Sequence, residues 1–107
     1  MKAKPVIPRE LARRDVEEAV AHDLADGAVT AALGFIDALA QAYGHIGRHP
    51  AAGSPRYAHE LNLPGLRSWL LPRHPYLVFY VERPDHVDVW RVLHGHRDIP
   101  AWMEAPT

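Results

Sequence analysis

Apolar side chains recur at three- and four-residue steps along two stretches in the first half of the chain. Within residues 9–25 a single stripe of apolar or small residues runs through a charge-rich segment: Ala12, Val16, Ala19, Val20 and Leu24. The next segment follows the same spacing more strictly: Ala32, Phe35, Ile36, Leu39, Ala42, Tyr43 and Ile46. This spacing is typical of amphipathic helices. Asp26-Gly27 breaks the first helix, and because the link to the second helix is short, the two are predicted to form an antiparallel hairpin.

The second half of the chain has the shorter apolar runs of β-strands. Residues 66–71, 76–82 and 87–94 are joined by short connections, which predicts an antiparallel meander. Residues 4–7 predict a short edge strand, since Pro5 cannot donate to a ladder. The whole pattern predicts one α+β domain over residues 1–107. In it, an N-terminal helix hairpin packs on one face of a small antiparallel sheet, and a short C-terminal helical turn follows.

The alternation of side chains along each strand predicts which face meets the helices. Leu77, Phe79 and Val81 form the wholly apolar set of the middle strand, so they are predicted to face the helices. By analogy, the inward set on the flanking strands is Leu66, Ser68, Leu70, Trp90 and Val92. The opposite face is then the following set: Arg67, Trp69, Leu71, Tyr76, Val78, Tyr80, Val89, Arg91 and Leu93.

Little chain remains to cover that opposite face, because both helices precede the meander. The water-facing side of an antiparallel sheet is normally more polar than this one, and such an apolar surface favours a partner site. A partner peptide would cover the face and pair with an exposed strand edge. The alternative is that the loop of residues 51–65 and the terminal turn with Trp102 fold over the face.

Composition and charge exclude several classes of function. The chain has 107 residues, no cysteine and a formal net charge of −1. Disulfides and thiolate metal sites are therefore excluded, and a broad basic surface for nucleic acid is not expected. No apolar run is long enough for export or membrane insertion, so a cytoplasmic protein is expected. His94 and His96 lack a third ligand at a suitable spacing, so neither a metal site nor a cofactor is predicted.

Five segments, taken in order, resemble the ParE/RelE family of toxins from bacterial toxin–antitoxin pairs. They are residues 31–37, 48–54, 64–67, 76–80 and 91–98, and the likeness spans almost the whole chain. The resemblance implies a toxin that is held inactive by a cognate antitoxin from the same operon. In this family the ParE branch poisons DNA gyrase, whereas the RelE branch cleaves mRNA in the ribosomal A site.

The positions used by RelE-like nucleases distinguish the two branches. Those nucleases carry two lysines on the first meander strand, an arginine opening the middle strand, an arginine after the last strand and often a C-terminal tyrosine. The corresponding residues here are Arg67, Trp69, Tyr76 and Arg97, with Trp102 and Met103 near the tyrosine position. Because aromatic residues replace two of the cations, the resemblance implies a ParE-like toxin that acts without catalysis.

The predicted binding residues follow from the supposed open face and from this resemblance. A ParD-like antitoxin, forming a hetero-oligomer with the toxin, is predicted to contact Arg67, Trp69, Leu71, Tyr76, Tyr80, Val89, Arg91 and Leu93. Arg97 and Trp102 are predicted to face the target, DNA gyrase, and no sequence-specific contact with nucleic acid is expected.

Two alternatives stay open at the level of the sequence. One is a ribosome-dependent mRNA endoribonuclease, with His94 as acid or base and with Arg67, Arg91 and Arg97 on the phosphate. The other is a degenerate family member that is retained only as a binding module.

Overall fold

Two long helices, a four-stranded sheet and two short helices make up the fold. The computed structural model describes residues 3–103, and residues 1–2 and 104–107 of the predicted domain lie outside this range. The elements in chain order are β1 (Val6–Pro8), α1 (Glu10–Ala25), α2 (Val29–Arg48), α3 (Arg56–Glu60), β2 (Leu66–Leu70), β3 (Tyr76–Glu82), β4 (Val87–His94) and α4 (Ile99–Met103), and a 3-10 turn, Pro50–Ala52, precedes α3. None of the described helices combines the length and apolar character needed to cross a bilayer.

The helix hairpin forms where the two apolar stripes predicted it. Gly27 joins α1 to α2 with a φ of +73°, a left-handed conformation that glycine adopts without steric cost. The buried residues of α1 are small, Ala12 and Ala19, while α2 buries larger side chains: Phe35, Leu39 and Ile46. Two members of the predicted stripes lie outside the core, since Ile36 is 45% exposed and Leu24 is 50% exposed.

The sheet has the strand order β1-β4-β3-β2. The predicted meander is confirmed, because β2 and β4 both pair antiparallel with β3. The predicted edge strand is β1, which pairs parallel with β4, so the sheet is mixed rather than purely antiparallel. Parallel neighbours need a long crossover connection, and here nearly the whole chain lies between the two strands.

The helices cover the opposite face of the sheet from the predicted one. Val78 and Tyr80 pack with Phe35 and Leu39 in the helix-side cluster, whereas Phe79 and Val81 belong to the second cluster. The assignment of Leu77, Phe79 and Val81 to the helix side is therefore wrong. Alternation alone could not decide the question, because both faces of β3 are apolar and both are buried.

A β-bulge also breaks the predicted alternation of β4. Tyr80 pairs with Val89 but Phe79 pairs with Arg91, so Trp90 is the additional residue. Val89 consequently faces the helices while Leu93 lies in the second cluster, although the sequence predicted both on one face.

The second face of the sheet is covered by the chain itself. Residues from α3 and the loop after it pack on this face together with α4: Tyr57, Ala58, Leu61, Leu63, Ile99, Trp102 and Met103. The prediction of an open apolar face is wrong, because the helices cover most of the residues assigned to it. The alternative is borne out in part: segments of residues 51–65 and the terminal turn do cover a sheet face, but that face carries Phe79 and Val81. An uncovered sheet face therefore cannot be the partner site, and a binding surface has to lie on another part of the protein.

Candidate functional site

An open cleft lies between the C-terminal half of α1 and the ends of β3 and β4. Its volume is about 660 Å³. One wall is largely acidic and includes Glu18, His22 and Asp23 from α1, and the other carries Tyr76, His94, Arg97 and Trp102.

The strand register brings the second wall together. Tyr76 and His94 are directly paired across β3 and β4, and their rings meet edge-on at 5.2 Å. Beyond β4 the chain turns into α4, which places the ring of Trp102 under the guanidinium of Arg97, 4.2 Å from the ring centroid. Arg97 is exposed and Trp102 is half-buried, so the two residues predicted to face the target share one accessible surface.

Two titratable side chains of this wall, His94 and Tyr76, have pKa values shifted in the direction that favours their neutral forms. Burial, with the neighbouring His96 and Arg97, lowers the pKa of His94 below its ordinary value of 6.5. Its Nδ1 accepts a hydrogen bond from the backbone N–H of His96 at 3.1 Å, so the neutral ring carries its proton on Nε2. Burial and the charge of Asp23 raise the pKa of Tyr76 despite the opposing effect of Arg97. The wall therefore offers hydrogen-bond donors and one cation, which suits polar recognition.

Arg91 lies behind this wall, in the protein interior. Its Nε and Nη2 donate to the two carboxylate oxygens of Asp15 at 2.8 and 2.7 Å, and its Nη1 donates to the carbonyl oxygen of Trp102 at 2.7 Å. Arg91 is 4% exposed. Its guanidinium is thus engaged within the fold, and neither a partner nor a phosphate can reach it.

Arg67 is held at a different place on the sheet. Its Nη1 donates to the carbonyl oxygens of Gly53 at 2.8 Å and Ala51 at 3.2 Å. Arg67 pairs with Tyr80, whereas His94 pairs with Tyr76, so four residues of β3 separate them, about 13 Å along the strand. The set predicted for RNA cleavage, which also includes Arg91 and Arg97, is therefore not assembled into one site.

The predicted antitoxin contacts divide into buried and accessible residues. Five are enclosed in the chain's own core and are withdrawn as contacts: Leu71, Tyr80, Val89, Arg91 and Leu93. They were selected as members of an open face, and that face does not exist. Arg67, Trp69 and Tyr76 remain partly accessible, and the ring of Trp69 lies 4.6 Å from that of His45 on α2.

Sequence reasoning missed Leu70, which is 60% exposed at the end of β2. Ser68 exchanges two backbone hydrogen bonds with Ser54 on the outer edge of this strand, at 2.9 and 2.8 Å. Alternation directs the backbone groups of Leu70 to the same edge, and no residue from 3 to 103 pairs with them there. The one signal of this site in the sequence is that Leu70 lies near the end of a predicted strand. The alternation predicts that Leu70 faces inward, which is wrong.

The described part of the chain offers no metal site. Across residues 3–103 no three side chains of His, Asp or Glu are grouped closely enough to hold an ion.

Comparisons with known proteins agree with the fold. The family model described as "ParE toxin of type II toxin-antitoxin system, parDE" matches residues 6–99. A solved chain described as "Chromosomal ParDE TA system from P. aeruginosa" is 16% identical, and the alignment covers 86% of this chain and 96% of that chain with a TM-score of 0.70. At this identity the likeness concerns the fold. A search of curated proteins gave no match.

Proposed function

Since this chain belongs to the ParE toxin family of type II toxin–antitoxin systems, we propose that it acts by binding rather than by catalysis. A ParD-like antitoxin neutralises it in a hetero-oligomer in the cytoplasm. When it is free of the antitoxin, the protein inhibits DNA gyrase.

The observation that carries this proposal is that two candidate phosphate-binding arginines are held by other groups of the chain: Arg91 is buried, and Arg67 is partly accessible. RNA cleavage by attack of a 2′-hydroxyl needs a base, an acid and cations for the developing charge. Arg91 is neutralised by Asp15, and Arg67 donates to loop carbonyls. His94 and Arg97 are left together without these cations, which favours recognition of a protein target over cleavage of RNA.

The target surface in this proposal is the mouth of the cleft. Arg97 stacks on Trp102 there, and both are accessible. Arginine and tryptophan are enriched among the residues that dominate protein–protein binding energies, because each combines a large contact area with specific polar contacts.

The antitoxin surface in this proposal is the outer edge of β2. A peptide that adds a strand at Leu70 would satisfy the unpaired backbone groups and cover the exposed side chain. Trp69 and Arg67 flank this position and remain partly accessible. The proposal thus keeps the predicted strand-edge pairing but moves the contact from the sheet face to the sheet edge.

A gyrase assay tests the proposed target. Purified protein is expected to inhibit supercoiling and to increase DNA breakage, and a molar excess of antitoxin should restore activity. Arg97→Ala should weaken inhibition at least tenfold. Arg14→Ala is the matched control, because its side chain is 64% exposed on the N-terminal half of α1 and does not line the cleft. Gyrase activity unaffected by the wild-type protein would contradict the proposal.

Primer extension on translated mRNA tests the catalytic alternative in parallel. Cuts that vanish in Arg97→Ala but persist when gyrase is inhibited would establish a ribosome-dependent nuclease instead. A protein that arrests neither gyrase nor translation, and whose expression without antitoxin leaves growth unchanged, would be a binding module alone.

Antitoxin binding is tested by calorimetry with the Leu70→Asp variant. The charge should weaken binding at least tenfold, because it would lie between the paired strands. Leu33→Asp on α2 is the matched control, since Leu33 is 62% exposed and Leu70 is 60% exposed. If both variants bound the antitoxin with the affinity of the wild type, the β2 edge would be excluded as the antitoxin-binding site.

A further inference from the structure

Helix α2 carries a second apolar stripe, which faces solvent. Val29, Leu33 and Ile36 are 54%, 62% and 45% exposed. Ala40 and Gly44 continue the stripe at the same three- and four-residue steps. Together the five positions form one side of the helix about 22 Å long. Scattered apolar side chains on a surface need no explanation, but a contiguous apolar row marks an interaction surface.

Gly44 has no structural reason within the chain. A glycine in a helix interior costs about 1 kcal/mol relative to alanine. A Cβ added at Gly44 would meet only the flexible end of Arg48, at 3.3 Å, whereas a Cβ at Gly47 would lie 2.8 Å from the backbone oxygen of Lys4. Packing within the fold explains Gly47 but not Gly44. Close approach of another helix would make use of the missing side chain.

We propose that a second copy of this chain covers the stripe, with the two α2 helices antiparallel about a two-fold axis between Ile36 and Asp37. This register places Leu33 opposite Ala40 of the other copy and Val29 opposite Gly44. Val29 and Leu33 then each meet a small residue, whereas Ile36 lies beside the axis next to Asp37 of the other copy, and the two-fold axis repeats each contact. A surface that is complementary to itself in this way is the requirement for an isologous dimer.

The charges at the two ends of α2 favour the same orientation. The hairpin turn before α2 carries Asp26, whose side chain is 67% exposed. The other end carries Arg48, which is exposed and forms no ion pair with residues 3–103. In the antiparallel dimer the Arg48 end of each copy lies beside the Asp26 end of the other. A parallel pair would instead place Leu33 against Leu33 and Arg48 against Arg48.

Cysteine cross-linking tests the register, because the chain contains no cysteine of its own. Asp37→Cys lies beside the axis and should give a disulfide-linked dimer under copper–phenanthroline oxidation. Val29→Cys should not, since its two copies would be about 22 Å apart. A mixture of Val29→Cys and Gly44→Cys proteins should cross-link with each other. Cross-linking through Val29→Cys alone but not through Asp37→Cys would overturn the proposed register.

Analytical ultracentrifugation of the full chain tests the dimer itself. The wild-type protein should be dimeric at micromolar concentration, and Leu33→Asp should raise the dissociation constant at least tenfold. Leu70→Asp is the control for an equally exposed leucine and should leave self-association unchanged. Circular dichroism should show that both variants keep the fold.

Two outcomes would overturn the proposal. The first is a wild-type protein that remains monomeric at every concentration. The second is loss of antitoxin binding in Leu33→Asp without any effect on self-association, which would assign the stripe to the antitoxin. The inference goes beyond the toxin function proposed above, and gyrase inhibition can succeed or fail independently of it.

Discussion

The carboxylate of Asp15 on α1 binds the guanidinium of Arg91 on β4 through two hydrogen bonds, 2.8 and 2.7 Å long. One Asp15 oxygen also accepts the backbone N–H of Val92 at 3.0 Å. Because β1 pairs with β4 only along Val87–Val89, the outer edge of β4 is without a strand neighbour at Val92. The aspartate of a helix thus completes the hydrogen bonding of a strand edge.

Removing this carboxylate should strongly destabilise the protein. Asp15→Ala leaves the charge of Arg91 buried and uncompensated, since the two side chains are only 8% and 5% exposed. The free energy of unfolding should fall by about 3–5 kcal/mol in urea titrations. Glu17→Ala, at an exposed position of the same helix, should change it by less than about 0.5 kcal/mol. A similar small loss for both variants would contradict the role of the pair.

The hydroxyl of Tyr80 should hold the loop before α3 against the sheet. It donates to the carbonyl oxygen of Pro50 at 2.7 Å and accepts the N–H of Gly53 at 2.9 Å. Tyr80→Phe leaves both groups without this partner, so the free energy of unfolding should fall by about 1–3 kcal/mol. Hydrogen exchange at the Gly53 amide should accelerate.

Tyr43→Phe is the control for this change. Burial raises the pKa of Tyr43 to about 12, but its hydroxyl has no hydrogen-bond partner among residues 3–103. The substitution should therefore cost little stability. Equal losses for the two phenylalanine variants would show that ring packing, not the hydroxyl of Tyr80, secures the loop.

Acid should weaken the fold through Asp88. Burial alone would raise the pKa of this carboxyl, but hydrogen bonds from Arg9, Trp90 and Arg83 outweigh it and lower the pKa below 3.8. A carboxyl with a lowered folded-state pKa stabilises the protein above its unfolded-state pKa, about 3.9. The stabilisation disappears as the pH falls through the folded-state value.

Urea titrations between pH 7 and pH 2 measure this effect. Asp88→Asn should be less stable than the wild type at neutral pH, and the difference should narrow progressively below about pH 4. Glu17→Gln, at an exposed position of α1, is the control and should track the wild type. A difference from Asp88→Asn that stays constant with pH would exclude the ionised carboxylate as its source.

His94 should titrate at lower pH than an isolated histidine, and Arg97 should be part of the reason. Burial lowers its pKa first, and the charges of His96 and Arg97 lower it further. Heteronuclear NMR of the ring Cε1–H should give a pKa below 6.5 for the wild type. Arg97→Ala should raise that value, and Arg14→Ala should not. If the pKa of His94 were unchanged in Arg97→Ala, the charge of Arg97 would not contribute to the lowered pKa.

The helices and strands were predictable because their periodicity is long and regular. The stripe ending at Ile46 and the alternation in β3 each gave the correct element. The orientation of the sheet was not predictable, since Val78 and Phe79 are adjacent, equally apolar and both fully buried. The sequence pattern identifies the core-facing side of a strand only when the other side is polar.

Short elements and long-range partners escaped prediction for a different reason. Helices α3 and α4 have five residues each, too few for a periodic signal, yet they cover the second face of the sheet. Alternation along the last strand predicts Arg91 on the outward face, yet it is 4% exposed. Its burial depends on Asp15, which is 76 residues away and gives no local sign of the pairing. Arg97 and Trp102 are only five residues apart, and the short chain between them brings the guanidinium within 4.2 Å of the ring centroid.

The parallel pairing of β1 with β4 makes the first residues of the chain dependent on nearly the last ones. Val87 donates to Pro5, Arg9 donates to Val89, and Lys4 binds Glu82, so each bond closes a loop of about 80 residues. During synthesis the opening strand emerges from the ribosome long before its partner exists. Helices α1 and α2 can associate early, but the sheet is complete only when translation has passed His94, the last residue of β4. A polypeptide released before that point lacks the closed architecture, so premature termination yields an unfinished protein rather than a shortened working one.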